Sequence, residues 1–225
     1  ATAVFNMLSG YSEPASWNRL IVAPIWMKKR FLEMIHRETK NAKEGKKAKI
    51  IAKCNSLCDR KIILALYEAS CAGVEIELII RGICCLVAGK PGVSENIHVR
   101  SIVGTFLEHA RIFYFYNDGH EEIYMGSADW MPRNLDRRVE IVFPVEAEDL
   151  KEKAKHILDV QLRDTLKAHR LLEDGTYQKI DRRGKEAIEA QKTFCEEAIA
   201  AASEPRKRVQ KKRTFDPRFS PQEEE

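Results

Sequence analysis

The order of predicted strands and helices is the feature that most limits how this chain can fold. Residues 48–52 (Ala-Lys-Ile-Ile-Ala) are typical of a strand, and Asp59 is a suitable N-cap for a helix that continues to about Cys71. Residues 74–80 alternate between apolar and acidic positions and then become continuously apolar, which predicts a second strand. With a short strand at 20–23 and a helix at 25–42, the order is β-α-β-α-β, which predicts an α/β layered domain.

Further elements follow toward the C-terminus. Asn117-Asp118-Gly119 is a strong hairpin signal between two apolar runs. The patterns predict strands at 97–101, 111–116, 122–125 and 138–142 and helices at 148–169 and 184–202. The apolar content of 44% is sufficient for a core, and no apolar run reaches the roughly 18 residues that a transmembrane helix needs.

The ends of the chain differ in character from its middle. The chain opens at Ala1 with neither an initiator Met nor a signal-peptide pattern, so we expect a piece of a longer protein. We expect residues 1–19 to end a preceding domain or linker, 20–190 to form the main domain and 191–203 to end a C-terminal helix. Basic clusters and a terminal acidic run replace core residues after Glu204, which predicts a disordered tail at 204–225.

Net charge and cysteine spacing bear on two possible functions, nucleic-acid binding and zinc binding. The net charge of +4 does not by itself indicate a nucleic-acid-binding protein, so anion binding must depend on where individual arginines lie. Cys54 and Cys58 are separated by three residues and Cys84 is adjacent to Cys85, which is not the spacing of paired zinc knuckles. We therefore predict reduced cysteines that pack as small hydrophobic residues, and no metal ligands in this chain.

Arg81 is the first residue along the chain that suggests a ligand-binding role. It follows the predicted strand 74–80 directly, and ligands of open α/β sheets bind at the carboxyl ends of strands. A planar guanidinium there suits two oxygens of a phosphate. A surface salt bridge is the alternative interpretation from this position alone.

His109 and Arg111 begin a second group of candidate residues. Because they are two positions apart in an extended segment, their side chains are expected on one face. There the imidazole would exchange a proton or phosphoryl group, and the Arg111 cation would hold phosphate charge. Ser127 follows the next predicted strand and supplies a short donor. Arg138 and Glu140 are also predicted to share a face, where the arginine holds an anion and the carboxylate orients the histidine.

This pattern resembles the half-site of the phospholipase D superfamily, which has His-x-Lys, a later Gly-Ser-x-Asn and an Asn or similar residue before a Glu. The chain departs from it at Arg111, where those enzymes have Lys, and at Asp129, where they have Asn. Both departures disfavour a lipase.

A closer resemblance is to bacterial polyphosphate kinases of the histidine-autophosphorylating type. It extends over about residues 4–190 and rests on several motifs in one order. They are Ile50-Ile51-Ala52-Lys53, Arg81-Gly82-Ile83-Cys84-Cys85-Leu86, Ser94-Glu95-Asn96-Ile97, Phe106-Leu107-Glu108-His109, Ser127-Ala128-Asp129-Trp130-Met131 and Arg133-Asn134-Leu135-Asp136-Arg137-Arg138. The resemblance implies a phospholipase-D-like layered sheet with flanking helices and a C-terminal helical extension. Residues 20–190 would be the C-terminal catalytic domain.

The resemblance also implies a reaction and its site. The family transfers the terminal phosphate of ATP to polyphosphate, reversibly and with Mg²⁺, through a phosphohistidine on the preceding domain. Arg81, His109 and Arg138 correspond to phosphate contacts, and His109 is the general acid/base or phosphate-stabilising partner of that phosphohistidine. The supporting residues are Arg111, Ser127, Asp129, Asn134 and Glu140. The phosphohistidine and the Mg²⁺ ligands have no counterpart in this chain.

The expected partners follow from the same resemblance. They are ATP or ADP, polyphosphate, the preceding catalytic domain and further copies of the protein, without specific nucleic-acid binding or a transmembrane segment. The expected location is the cytoplasm, with peripheral contact to the inner membrane allowed. Two alternatives stay open: a phospholipase-D-like phosphodiesterase or nuclease that dimerises, and a non-enzymatic module that binds polyanions through the basic tail.

Overall fold

A mixed sheet forms the centre of the molecule, with helices on both faces. The computed structural model describes residues 2–11, 17 and 19–203, and within them the sheet has nine strands. The strands are β1 (Ile21–Val22), β2 (Lys49–Cys54), β3 (Glu75–Ile80), β4 (Ile97–Ile102), β5 (Ile112–Phe115), β6 (Glu122–Gly126), β7 (Ile141–Pro144), β8 (Ala168–Leu171) and β9 (Tyr177–Lys179). The helices are α1 (Thr2–Leu8), α2 (Met27–Lys43), α3 (Arg60–Cys71), α4 (Pro132–Asp136), α5 (Glu148–Leu162) and α6 (Ala190–Ser203).

The strand order brings several connections to one edge of the sheet. The order is β1-β7-β6-β5-β2-β3-β4-β8-β9, in which β2, β3 and β4 run parallel and the other pairs are antiparallel. Lys53 pairs with Ile112, and Gly126 pairs with Val142. The ends of β2, β3 and β6 and the beginnings of β5 and β7 therefore lie together, and we call this edge the carboxyl edge.

The two faces of the sheet are buried by different helices. Ile50 and Ala52 alternate with Ile51 along β2, and they belong to the core cluster that includes residues of α2 and α3, such as Phe31. Ile51 faces the second cluster, to which α5 contributes Leu158. Burial of the sheet on both faces explains why β3 ends in three consecutive apolar residues, at positions 78–80.

An aromatic cluster lies beneath the carboxyl edge. Trp130 is fully buried, its ring stacks on Phe113 with centroids 5.2 Å apart, and it meets Phe31 edge-on at 5.6 Å. The Trp130 carbonyl oxygen accepts hydrogen bonds from the backbone N–H groups of Cys58 and Asp59, both at 2.9 Å. The residue before Trp130 is thereby fixed to the rigid core.

Local signals predicted much of this fold correctly. Asp59 caps α3 by accepting hydrogen bonds from the backbone N–H groups of Lys61 and Ile62. The predicted hairpin joins β5 and β6, and its turn holds Asn117 at φ +46°, Asp118 at φ +53° and Gly119 at φ +88°, which are residue types that tolerate the left-handed region. Among the described residues, no helix is both long and apolar enough to traverse a bilayer.

The C-terminal third corrects two helix predictions. Helix α5 ends at Leu162 instead of residue 169, α6 begins at Ala190 instead of residue 184, and the hairpin β8–β9 lies between them. The Oδ1 atom of Asp164 accepts hydrogen bonds from three successive backbone N–H groups, those of residues 166–168, which turns the chain out of α5. Strand β8 then pairs with β4, a contact between residues distant in sequence.

The predicted strand at 138–142 is also wrong at its beginning. Pro132 opens the short helix α4, and the Arg138 N–H still donates to the Arg133 carbonyl at 3.0 Å, so the chain is turning at Arg138. Strand β7 begins only at Ile141. The expectation that Arg138 and Glu140 share a strand face is therefore wrong, because Arg138 is exposed and Glu140 is buried.

Gly126, where β6 ends at the carboxyl edge, allows β7 to approach closely. A Cβ atom at this position would overlap the Ile141 carbonyl oxygen, which is backbone and has little freedom to move. We predict that Gly126→Ala lowers the free energy of unfolding by about 1–3 kcal/mol, measured by urea denaturation. The exposed Ser203→Ala is the control and should change it by less than about 0.5 kcal/mol. Equal denaturation midpoints for Gly126→Ala and the unmodified protein would contradict this close approach.

Candidate functional site

The carboxyl edge gathers most of the residues that the sequence singled out. Asn55 and Arg81 follow β2 and β3, the segment 109–111 leads into β5, Ser127 and Asp129 follow β6, and Glu140 precedes β7. Each side chain is thus carried by a short connection from a paired strand, which is the usual way that α/β sheets build ligand sites.

A buried ion pair lies at the centre of this edge. The Arg111 Nε atom donates to Asp129 Oδ1 at 3.1 Å, and Arg111 Nη2 donates to Oδ2 at 3.0 Å, which is the parallel two-bond geometry of an arginine–carboxylate pair. Both residues are less than a tenth exposed. Because its guanidinium is paired with Asp129, Arg111 is not free to hold phosphate charge as expected, and we assign it a supporting position.

The ion pair occupies the two positions at which the sequence departs from the phospholipase D pattern. A guanidinium with two parallel N–H groups matches the two oxygens of a carboxylate, so Arg111 and Asp129 are complementary in charge and in geometry.

His109 is exposed and lies against the ion pair. Arg111 Nη1 is 2.9 Å from His109 Nδ1 and 3.3 Å from Nε2, and it also donates to the His109 carbonyl oxygen at 2.9 Å. Because a guanidinium can only donate, the ring accepts from Arg111, and Nδ1 is the nearer acceptor. The arrangement fixes the ring while leaving the residue accessible to a ligand.

Arg81 is connected to the same ion pair through Asn55. The Asn55 backbone N–H donates to Asp129 Oδ1 at 2.7 Å, and its side-chain Oδ1 accepts from Arg81 Nε at 3.0 Å. Among the residues that the structure describes, no carboxylate lies within ion-pair distance of Arg81, so the surface salt bridge considered from the sequence is not formed there. A continuous chain of contacts therefore joins His109, Arg111, Asp129, Asn55 and Arg81.

Glu140 has different partners from those expected. Its carboxylate accepts hydrogen bonds from the Ser127 hydroxyl and from Asn134 Nδ2, the latter at 2.5 Å. Ser127 Oγ also accepts from the Ile141 N–H at 3.2 Å. Glu140 therefore holds the ends of β6, α4 and β7 together, and the expectation that it orients His109 is wrong because the ring contacts Arg111.

The structure adds a group of residues that the sequence did not indicate as functional. The Glu108 carboxylate lies 3.0 Å from Lys53 Nζ and accepts hydrogen bonds from the side-chain amides of Gln161 and Gln191, both at 2.9 Å. Burial by itself raises the pKa of Glu108, but the Gln191 hydrogen bond and the Lys53 charge offset this, and the pKa lies below its ordinary value. The only sequence signal was an isolated Lys inside an otherwise apolar strand.

The acidic residues of this edge do not fit a divalent cation. The carboxylates of Glu108, Asp129 and Glu140 are each bound by a cation or by side-chain donors. Within the described residues no group of three or more His, Cys, Asp or Glu is arranged to hold a metal ion. The Cys54 thiol is neutral, because burial raises its pKa to about 12.

Fold and site together define an α/β domain whose carboxyl edge presents a partly exposed arginine and an exposed, fixed histidine, which make it a candidate anion site. The model of the family described as polyphosphate kinase C-terminal domain 2 matches residues 20–191. The chain belongs to this family.

Individual relatives agree with the family match. A polyphosphate kinase of Synechocystis is 51% identical over 204 residues, which are 90% of this chain and 28% of the relative. A polyphosphate kinase of Pseudomonas aeruginosa is 52% identical over 181 residues, 80% of this chain and 26% of the relative. The crystal structure of the Porphyromonas gingivalis polyphosphate kinase aligns with a TM-score of 0.84 at 40% identity and covers 89% of this chain and 31% of that one.

The predicted fold class is confirmed, because the α/β layered sheet aligns with that of a polyphosphate kinase. The chain spans between a quarter and a third of the length of these relatives.

Proposed function

We propose that this chain supplies one half of the active site of a polyphosphate kinase, which transfers the terminal phosphoryl group of ATP to polyphosphate and back. The observation that carries the proposal is the chain of contacts from His109 through Arg111, Asp129 and Asn55 to Arg81. It holds an imidazole and a guanidinium at a fixed spacing on one edge, in a family whose relatives are polyphosphate kinases.

In the proposed reaction, Arg81 binds oxygens of the ATP phosphates, and Arg138 is a second phosphate-binding arginine. The guanidinium groups stabilise charge that spreads over the transferring phosphoryl group. The bond between the β–γ bridging oxygen and the γ phosphorus breaks, and a nitrogen–phosphorus bond forms on a histidine of the preceding domain while ADP leaves. In the second half, the terminal oxygen of polyphosphate attacks that phosphorus and the histidine nitrogen leaves.

His109 assists both halves from the opposite side of the phosphoryl group. The ring donates a hydrogen bond to a phosphate oxygen, or it exchanges a proton as general acid and base. The histidine that carries the phosphate is expected on the preceding domain.

Mg²⁺ is expected to enter with the nucleotide. The cation commonly binds phosphate oxygens and water with only one or two carboxylates, and the carboxylates of this edge already have partners. The preceding domain, self-association and a cytoplasmic location stay predictions. The predicted tail at 204–225 lies outside the described residues.

A phospholipase-D-like hydrolase is the second candidate, and the Arg111–Asp129 pair argues against it because that superfamily has a lysine and an asparagine in these positions. The full-length protein given γ-labelled ATP, Mg²⁺ and a polyphosphate primer should move the label into acid-insoluble polymer. Cleavage of a phosphodiester without consumption of ATP would overturn the proposal in favour of the hydrolase.

We predict that Arg81→Ala in the full-length protein lowers kcat/KM for ATP by about 10–100-fold, because a charge-assisted contact to phosphate is lost. Arg81→Lys should recover only part of the lost kcat/KM, since an ammonium cannot make two parallel hydrogen bonds. The matched control is Arg163→Ala, which removes an exposed arginine that pairs with Asp159 on α5. Steady-state kinetics with varied ATP provide the measurement, and equal values for Arg81→Ala and Arg163→Ala would remove Arg81 from the site.

A further inference from the structure

The segment that carries His109 has few apolar anchors of its own. Residues 103–110 connect β4 to the beginning of β5, and Val103, Phe106 and Leu107 are each at least 60% exposed. A loop that buries so little apolar surface needs polar contacts to keep one conformation. Those contacts converge on Glu108, the residue immediately before His109.

Glu108 is bound by side chains from three separate elements. Lys53 of β2, Gln161 of α5 and Gln191 of α6 all reach its carboxylate, at 2.9–3.0 Å. All three are at least nine-tenths buried. Both carboxylate oxygens therefore have partners inside the protein, and water is excluded from most of the group.

Gln191 makes further contacts with the same loop. Its side-chain Oε1 accepts from the Phe106 N–H at 2.9 Å, and its Nε2 donates to the Phe106 carbonyl at 2.8 Å as well as to Glu108. The amide thus pairs with the backbone of residue 106 as a neighbouring strand would. It also lies directly against Gly104, where a Cβ atom would overlap it.

These contacts link the first turn of α6 to the site. Gln191 is the second residue of α6, and the preceding residue, Ala190, is anchored by its N–H to Asp164 Oδ2 at 2.8 Å. Asp164 in turn fixes the turn after α5. A displacement at the beginning of α6 would therefore be transmitted to Phe106 and Glu108, and through them to His109.

We propose that Gln191 is a positioning residue, which through Phe106 and Glu108 holds the loop 103–110 so that His109 meets the transferring phosphoryl group. The inference rests on the proposed function, because it needs His109 to act in the reaction. It assigns the C-terminal helix α6 a part in catalysis in addition to packing against the domain.

The test uses Gln191→Leu in the full-length protein, since leucine retains much of the volume and removes all three hydrogen bonds. We expect kcat to fall about 10–100-fold with little change in the KM for ATP, because displacement of a reacting group by about 1 Å costs on this order. Gln178→Leu is the matched control: it makes the same exchange at an exposed position on β9, away from the loop, and should retain nearly full kcat.

A double-mutant cycle with His109→Ala separates positioning from general destabilisation. If Gln191 acts through His109, Gln191→Leu has almost no further effect once His109 is absent. An equal reduction in both backgrounds, an unchanged kcat for Gln191→Leu, or an equal loss in Gln178→Leu would each overturn the inference. Failure of His109→Ala to lower the rate would instead contradict the proposed function, so the two failures are distinguishable.

Discussion

His109→Ala in the full-length protein is expected to lower the kcat of polyphosphate synthesis by about 100- to 10,000-fold, the usual contribution of a positioned acid–base group. His109 is exposed and belongs to neither core cluster, so the loss should occur without unfolding. The measurement is the initial rate of transfer from labelled ATP, together with circular dichroism and the thermal midpoint of the same preparation.

The chain provides a matched control in His36. This residue is also exposed, lies on α2 away from the carboxyl edge and is 4.0 Å from Glu68. His36→Ala should leave the rate within about twofold, because surface histidines without a ligand contribute little. A rate for His109→Ala that equals the His36→Ala rate would remove His109 from the mechanism.

The largest expected effect on stability comes from Asp129→Ala. This substitution leaves the Arg111 guanidinium buried without its carboxylate and also removes the acceptor of the Asn55 N–H. Loss of one partner of a buried ion pair typically costs about 3–5 kcal/mol, and we expect that decrease in the free energy of unfolding by urea denaturation.

Two comparisons determine whether loss of the buried ion pair causes this decrease in the free energy of unfolding. Asp159→Ala removes the exposed partner of Arg163 and should cost only about 0.3–0.5 kcal/mol. The double substitution Arg111→Met with Asp129→Leu removes both charges and should recover much of the stability, because apolar groups of similar volume replace a buried pair well. A loss in Asp129→Ala no larger than in Asp159→Ala would contradict the assigned geometry.

Local chemistry made part of the fold predictable. The N-cap Asp59 and the Asn117-Asp118-Gly119 turn act through neighbouring backbone, so their sequence patterns indicated the structure correctly. The hairpin β8–β9 was mistaken for helix because its position depends on the pairing of β8 with β4 and on Asp164, which the local pattern does not contain.

The sequence indicated which residues lie at the site better than it indicated which of them contact each other. Sequence placed Arg81 and His109 next to the ends of strands and Glu140 within a strand, and the structure brings all three to the carboxyl edge. Their partners follow from which connections meet there: Asp129 binds Arg111, whereas Glu140 binds Ser127 and Asn134. Lys53 and Gln191 were missed because their contact with Glu108 joins elements far apart in the chain.

The most direct test of a phosphate site centred on His109 is a structure of the full-length protein with a non-hydrolysable ATP analogue and Mg²⁺. We predict γ-phosphate oxygens within about 3.2 Å of the Arg81 guanidinium and of a His109 ring nitrogen, with Arg111 still paired to Asp129. Phosphates bound at another edge of the sheet, with Arg81 and His109 both free of contact, would contradict it.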